Sequence, residues 1–397
     1  MIVAETAIGR MTRKSPVGAF KSFGKKKWLS FGGWINAVIP VLIVPYYSVI
    51  GGWVIKYLVE YFRGNAKQLA EGGYFSDFIS NGVSTELCFM AFCAFTLIII
   101  FAGVQNGIER VSKIMMPILI VLSVIIAVYS VTRPGALAGV KYFLVPNVKN
   151  FSWMTVVSAM GQMFYSLSIA MGILITFGSY MKKDTAIEDS TRNVEVFDTG
   201  IAIMAGLMII PAVFAFSGGD PDTLQAGPSL MFITIPKVFQ NMGFGTVIGI
   251  VFFLLVLFAA VTSSIALTES AVSTFEDELG WGRKKATVLV GVIMLALGSL
   301  SSLGYGPLAG IKIIGMQFLD LFDFLTNSVM MPIAALLTSL LVSRVVGIDK
   351  IEEEIIHGES AFRRKKVFVV MIKYLCPVFA IIILLSSVAN ALGWIKM

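Results

Sequence analysis

Long apolar segments alternate with short polar connections along this chain. Nine segments approach or exceed the roughly 20 residues with which a helix crosses a bilayer. They cover approximately 34–62, 86–104, 114–132, 153–180, 194–217, 244–275, 287–304, 313–345 and 367–394. The first residues, MIVAETAI, form a shorter apolar stub without the basic start and small-residue end of a signal peptide. The pattern predicts nine full transmembrane helices preceded by a short stub.

The segment 153–180 differs from the other eight because polar residues and glycines interrupt its centre. Its central run, GQMFYSLSIAMG at 161–172, contains Gln162, Ser166 and Ser168. Irregular backbone at membrane depth is tolerated only where it is buried in protein or lines a wet cavity. The segment therefore predicts a helix broken in mid-membrane, whose free carbonyls, amides and hydroxyls hold something small.

Composition places the whole chain in the membrane. Hydrophobic residues make up 57% of the sequence and charged residues only 14%, which is far more apolar surface than a soluble core needs. We expect one all-α polytopic membrane domain over residues 1–397. The three cysteines lie in apolar segments and the one histidine, His357, lies in a charged loop, so zinc, haem and thiol chemistry lack a ligand set.

The basic residues predict the orientation of the chain rather than a nucleic-acid partner. If the loops alternate between the two sides of the bilayer, one side carries 21 Lys and Arg residues and the other carries 8. The positive-inside rule places the richer side in the cytoplasm. The net charge of +7 is then a topology signal, and the C-terminus is predicted to lie outside.

Three consecutive hydroxyl residues, Thr262 to Ser264, interrupt the apolar segment 244–275. Helical spacing places Thr262 and Ser263 on one face with the small residues Ala259 and Ala266. Small residues let other backbones approach closely, and hydroxyls and carbonyls are the hard oxygen ligands that a sodium ion needs. The alternative is that these hydroxyls only bond back to their own helix.

Four further polar residues, on three different segments, stand out at membrane depth. Asp198 is the only acid between Val196 and Gly219, and an intramembrane carboxylate indicates a cation ligand or a proton carrier unless it is solvated near the cytoplasmic mouth. Glu5 in the stub has the same two interpretations. Tyr46 and Tyr47 follow a helix-weakening proline, and a buried tyrosine hydroxyl needs a partner, either a substrate carboxylate or another protein group.

The connection 218–243 contains an apolar patch that a polar connector would not need. On the predicted orientation it lies outside. We expect it either to fold back as a short helical hairpin that acts as an extracellular lid, or to pack as a loop on neighbouring helices.

The motifs of this chain resemble those of the neurotransmitter:sodium symporter family, in its bacterial amino-acid-transporter branch. The resemblance runs essentially from end to end, and its specific marks are AETAIGR (4–10), PYYS (45–48), NGIERVSKIMMP (106–117), GQMFYSLS (161–168), AGLMIIPAVFAF (205–216), LMFITIPKVF (230–239), TSSIAL (262–267) and FEDEL (275–279). It implies an inverted-repeat transporter fold with a discontinuous helix. It also implies sodium-coupled symport of a neutral amino acid, not an enzymatic activity.

The resemblance also implies specific ligands for two sodium ions, the co-transported cargo. The second sodium site of the family would take the carbonyl of Ala259 and the side chains of Thr262 and Ser263. The first would take Ser166 from the broken helix together with Asp198.

A substrate pocket and two gates follow from the same resemblance. Tyr47 would bond the substrate carboxylate, and Tyr165 would form an aromatic lid above it. Asp323 resembles the acid of the external gate, whereas Asp277 and Tyr180 resemble parts of the cytoplasmic gate. The residues implied for the substrate pocket are Ile43, Tyr47, Tyr165, Ser166, Ser168, Met171, Ser263 and Leu267.

Two departures from the family pattern concern the site itself. Animal members commonly have Asn where Asp198 stands and bind chloride beside it, so a fixed carboxylate here implies chloride-independent transport. Gln162 neighbours this position, and Glu5 is grouped with it as a further source of negative charge. Met171 stands where an aromatic residue often lines the pocket, which implies room for a flexible or larger apolar side chain.

The third departure concerns the start of the chain. The family begins with another broken helix before the segment that AETAIGR matches, so residues 1–10 are expected to be the remnant of its second helix in an N-terminally truncated chain. An inactive remnant or a non-transporting membrane protein is therefore one alternative function. Another is a proton-coupled amino-acid permease, in which Thr262 and Ser263 are structural and Asp198 carries the proton.

Overall fold

The computed structural model describes residues 1–220, 224 and 227–391, and this part of the chain contains eight helices long and apolar enough to cross a membrane. The principal helices are α1 (Ile2–Thr12), α2 (Lys27–Phe62), α3 (Gly82–Phe101), α4 (Val104–Val131), α5 (Trp153–Ser166), α6 (Ile173–Tyr180), α7 (Ile187–Ser217), α8 (Leu230–Gln240), α9 (Gly245–Leu279), α10 (Arg283–Leu303), α11 (Phe318–Val346), α12 (Ile348–Ile356) and α13 (Lys365–Asn390). Shorter helices cover Pro16–Lys21, Ala66–Leu69, Tyr74–Ser80, Ala136–Leu144 and Val148–Asn150.

All nine predicted segments form helices, and eight of them are spanning helices in the part described. Several helices extend beyond their apolar run. Helix α2 already begins at Lys27, seven residues before the predicted start. Helix α9 continues four residues past position 275, to Leu279, and this extension contains Glu276 and Glu278, whose side chains favour helix. Pro40 and Pro45 lie inside α2 without ending it.

The remaining segment, 153–180, is broken, as predicted. Helix α5 ends at Ser166 and α6 begins at Ile173. Three residues in the break, Ser168, Ala170 and Gly172, have φ angles of 54°, 60° and 70°. Left-handed backbone is costly for residues with a Cβ atom, so the surrounding contacts must hold Ser168 and Ala170 in this conformation.

The predicted lid segment contains one described helix, α8. Helix α8 is bound to the bundle through Phe232, which stacks on Phe75 with 5.1 Å between ring centroids. The Tyr57 hydroxyl donates a hydrogen bond of 2.8 Å to the Phe232 carbonyl. The first arm of the expected hairpin includes residues 221–223 and 225–226, which lie outside the described residues. The role of a lid stays a prediction.

Most of the loops rich in lysine and arginine connect helix ends on one side of the bundle. We call this side the basic face. The ends of α1, α3, α6 and α9 meet there with the starts of α2, α7 and α10. Long-range contacts confirm this grouping, because Arg283 at the start of α10 donates to the carbonyl of Ile100 near the end of α3. The backbone N–H of Ser15 likewise donates to Asp277 near the end of α9.

Helices α1 and α6 are in backbone contact. A Cβ atom built on Gly9 would lie 2.0 Å from the Ile175 carbonyl oxygen, and one on Gly178 would lie 2.5 Å from the Thr6 carbonyl oxygen. Glycine at both positions therefore permits this approach, as small residues do between membrane helices. We infer that α1 and α6 form one rigid pair.

This contact predicts that Gly178→Ala destabilises the protein. The new methyl group would collide with the backbone of Thr6, and overpacking of this kind costs about 1–3 kcal/mol. Gly200→Ala is the matched control, because no atom of the described residues lies within 4 Å of a Cβ atom built at Gly200 and alanine favours helix. Thermal unfolding in detergent should show a lower midpoint for Gly178→Ala alone. Equal midpoints for the two variants would contradict the close contact.

Candidate functional site

A cavity of about 460 Å³ lies at the break between α5 and α6. Its walls come from α2, α4, α5, α6, α9 and the break itself. The lining residues are Ile43, Tyr47, Met116, Gln162, Tyr165, Ser166, Ser168, Met171, Ile173, Thr262, Ser263, Ala266 and Leu267. All eight residues assigned to the substrate pocket from sequence lie on this one cavity, although their roles toward a substrate stay predictions.

The three consecutive hydroxyls of α9 have different surroundings, although Thr262 and Ser263 both line the cavity. Ser263 lines the cavity and is exposed to it. The Thr262 hydroxyl donates to the carbonyls of Phe258 and Ala259 at 3.1 and 3.0 Å, which is the back-bonding arrangement considered as the alternative. Because a hydroxyl that donates its one proton keeps its lone pairs, Thr262 can still present oxygen to an ion.

Ser264 belongs to the packing of α9 rather than to the cavity. It is fully buried, and its Oγ lies 3.1 Å from the Oγ1 of Thr96 on α3. A hydroxyl pair between two membrane helices satisfies both groups without water. One turn of α9 thus has a polar side toward the cavity and a polar contact on its other side.

Ser166 and Asp198, the two residues assigned to the first sodium site, are in direct contact. The Ser166 hydroxyl donates a 2.6 Å hydrogen bond to Asp198 Oδ1. This contact links the last residue of α5 to α7. Gln162, one turn earlier on α5, also lines the cavity. The end of a broken helix therefore places hydroxyl, amide and carboxylate oxygens together, where the partial negative charge of a helix C-terminus also favours a cation.

Glu5 is not among the residues that line the cavity, but it contacts the backbone of the break. It is fully buried on α1, and its Oε1 accepts a 2.9 Å hydrogen bond from the backbone N–H of Ala170. Its Oε2 has no hydrogen-bond partner among the described residues. Sequence reasoning placed Glu5 with the charge of Asp198 and did not foresee this backbone contact.

The predicted external-gate acid lies on α11, outside the cavity lining. Asp323 Oδ1 accepts hydrogen bonds from the Tyr46 hydroxyl at 3.1 Å and from Asn327 Nδ2 at 2.6 Å. The adjacent tyrosines of α2 therefore point in different directions, because Tyr47 lines the cavity whereas Tyr46 contacts Asp323. Both hydroxyl environments are polar, which is what buried tyrosines require.

The two residues assigned to the cytoplasmic gate have different partners at the basic face. Asp277 accepts the backbone N–H of Ser15. The Tyr180 hydroxyl donates to Glu269 Oε1 at 2.8 Å, and this fully buried carboxylate also accepts Arg283 Nη1 at 3.0 Å. Sequence reasoning missed Glu269. The signal was available, since Glu269 is an acid inside the apolar segment 244–275, as Asp198 is in its own segment.

The Glu5 contact predicts different effects for two substitutions. Glu5→Gln keeps a carbonyl oxygen that can accept the Ala170 N–H, whereas Glu5→Ala leaves this buried donor without a partner, which costs about 1–3 kcal/mol. Thermal unfolding in detergent should therefore show a clear loss for Glu5→Ala and a smaller one for Glu5→Gln. If both variants unfold at the same temperature, the hydrogen bond does not stabilise the break.

Comparisons with known proteins agree on one family. Residues 60–394 match the model of the sodium:neurotransmitter symporter family. The chain is 32% identical over 392 residues to the uncharacterized sodium-dependent transporter YhdH of Bacillus subtilis (strain 168), covering 98% of this chain and 86% of that protein. It is 30% identical over 404 residues to an uncharacterized sodium-dependent transporter of Haemophilus influenzae, with the same coverage of both chains.

A solved structure supports the same conclusion at the level of the fold. The crystal structure of MhsT in complex with L-phenylalanine superposes with a TM-score of 0.85 at 33% identity, covering 97% of this chain and 87% of that one. The predicted all-α transporter fold with a discontinuous helix is confirmed, and the family is one of transporters rather than enzymes. This multi-pass membrane protein belongs to the sodium:neurotransmitter symporter family.

Proposed function

We propose that this protein couples sodium entry to the uptake of a neutral amino acid by alternating access. The observation that carries the proposal is the cavity at the break, which combines an apolar lining with hydroxyl groups from two helices. Family membership supports sodium dependence. The likeness to MhsT, whose structure contains L-phenylalanine, supports an amino acid as the cargo.

Two sets of oxygen atoms beside the cavity would bind sodium. Ser166 and Asp198 form one set, joined by their 2.6 Å hydrogen bond. The Ala259 carbonyl, Thr262 and Ser263 form the other on α9, where Thr262 already contacts the Ala259 carbonyl. Unwound backbone and helix C-terminal ends supply such sites in transporters with broken helices.

The lining of the cavity favours a neutral side chain on the substrate. None of the described residues that line it is charged, so a charged side chain would be buried without a partner, which is costly. Tyr47, which lines the cavity together with Ser263, would bond the substrate carboxylate. Tyr165 and Ser168 would close around the backbone of the amino acid, and Met171 would adapt to its side chain.

The available driving force is sufficient for strong accumulation. One charge that moves through 100 mV contributes about 2.3 kcal/mol, and a tenfold sodium gradient adds about 1.4 kcal/mol. Together they support roughly 500-fold accumulation of substrate for each sodium ion.

In the proposed orientation the basic face lies on the cytoplasmic side of the cell membrane and the C-terminus lies outside. Asp323 would then act in an external gate and α8 in an extracellular lid, whereas Asp277 and Tyr180 would act in a cytoplasmic gate. The carboxylate of Asp198 would supply the negative charge that chloride provides in animal members, with Gln162 and Glu5 nearby in the broken-helix region.

Uptake in proteoliposomes tests the proposal directly. The protein should be expressed with any in-frame codons that precede Met1, and a panel of neutral amino acids should be offered under a sodium gradient. We expect uptake that disappears when choline replaces sodium and persists when gluconate replaces chloride. Uptake that continues in choline and follows a proton gradient would instead support a proton-coupled permease. Absence of both uptake and substrate binding would support a non-transporting protein.

Thr262→Val tests the second sodium site more narrowly. Valine keeps the shape of threonine but removes the oxygen, so the sodium concentration for half-maximal uptake should rise by about tenfold, the effect of losing about 1.4 kcal/mol of ion binding. Thr268→Val is the matched control. Thr268 is fully buried, and its hydroxyl donates a 2.7 Å hydrogen bond to the backbone carbonyl of Ser264 within the same helix. An unchanged sodium requirement in Thr262→Val would show that the site is assigned wrongly.

A further inference from the structure

Arg10, at the end of α1, is a fully buried arginine at the basic face. Its Nε donates to Glu354 Oε1 on α12 at 2.7 Å, and the exposed fractions of the two side chains are 0% and 4%. The same guanidinium donates to the backbone carbonyls of Thr185 and Glu354. One side chain thus connects α1, the turn between α6 and α7, and α12.

Further polar contacts join the same parts of the fold. Lys183 Nζ donates to Glu354 Oε2 at 3.1 Å. Glu188, in the first turn of α7, accepts the backbone N–H groups of Arg363 and Arg364 at 2.9 and 3.0 Å. Arg364 also pairs with Glu195 on α7 at 2.7 Å. The segment 347–365, which contains α12 and leads into α13, is therefore bound by charge to α1 and α7.

These contacts connect the segment 347–365 to the functional site. Arg10 and Glu5 lie on the same short helix, about 7.5 Å apart along its axis, and Glu5 bonds the break at Ala170. Backbone contact between α1 and α6 at Gly9 and Gly178 makes the two helices one body. A displacement at Arg10 is thus transmitted to the residues that surround the cavity.

The chemistry of the Arg10–Glu354 pair suits a contact that opens. A buried ion pair adds little stability compared with apolar residues of the same volume, because both charges lose their water. An ion pair can, however, separate when water reaches it, and then both ions regain their hydration. Water is close, since Lys183 is 52% exposed while its partner Glu354 is 4% exposed.

We propose that the segment 347–365 is a clasp that holds α1, α6 and α7 closed at the basic face, and that this clasp must release before the cavity opens to that side. The need for opening rests on the proposed transport function. The assignment of the clasp depends only on contacts at the basic face, which do not involve the residues that line the cavity.

Cross-linking tests whether the clasp must release. In a protein whose three cysteines are replaced by alanine, Glu195→Cys and Arg364→Cys can be joined by a bifunctional methanethiosulfonate reagent long enough to replace the ion pair. A cysteine at Ser270 reports opening, because Ser270 is buried and its Oγ lies 3.2 Å from Thr176 on α6. The readout is the rate at which a membrane-impermeant maleimide, added at the basic face of oriented vesicles, labels this cysteine.

We expect the cross-link to slow labelling at position 270 by at least about tenfold and reducing agent to restore the rate. The matched control joins Glu352→Cys to Lys365→Cys. This ion pair lies within the clasp segment itself, so the rate should be unchanged. Equal labelling rates with and without the 195–364 cross-link would overturn the proposal, because the clasp would then move with α1 and α7. Equal slowing by both cross-links would overturn it as well.

Loss of the ion pair should have the opposite effect. Glu354→Gln is expected to speed labelling at position 270 several-fold, whereas Glu352→Gln should not. If Glu354→Gln does not fold, Glu195→Gln removes the exposed ion pair with Arg364 without leaving a buried charge alone, and it should also label faster. Unchanged labelling in the folded variant would overturn the proposal. Because labelling requires no substrate, these results remain interpretable even if the uptake assay fails to show sodium-coupled transport.

Discussion

The functional site depends on one constraint, which is that every backbone group freed by the break needs a partner inside an apolar bundle. Part of this requirement is met locally, since the amides of Leu167, Ser168 and Ile169 donate back to carbonyls of α5. Among the described residues the amide of Ala170 has no such backbone acceptor, and it donates to Glu5 instead. A carboxylate from α1 thus allows α5 and α6 to stay apart, and the space between them becomes the cavity.

Much of the fold and the membership of the cavity could be predicted from the sequence, because both leave local signals. Hydrophobic runs predicted the spanning helices, and the cluster of glycine and serine residues predicted the break. Motif resemblance then identified residues such as Tyr47 and Ser263, which the structure places on one cavity. The direction of each side chain was harder to predict. Tyr46 and Tyr47 are neighbours in sequence, yet helical rotation sends one to Asp323 and the other to the cavity.

Pairings between distant residues could not be predicted at all. Arg10 and Glu354 are 344 positions apart, and nothing in the local composition of either segment indicates the other. Glu269 and Arg283 are only 14 positions apart, but Arg283 begins a different helix, so this pairing also depends on how α9 and α10 pack. Such pairs arise where packing brings helix ends together, so they depend on the arrangement of the whole bundle. They are concentrated at the basic face, where the helix ends carry charge.

The glycine contact between α1 and α6 also restricts how the broken helix can move. Shear between packed helices requires side chains that slide past one another and adopt new neighbours. At Gly9 and Gly178 the contact is between backbones, with almost no side chain between them to rearrange. Sliding would bring the next residues, with their Cβ atoms, against carbonyl oxygens. Movement of α6 is therefore confined to rotation about hinges at its ends, with α1 carried along as part of the same rigid body.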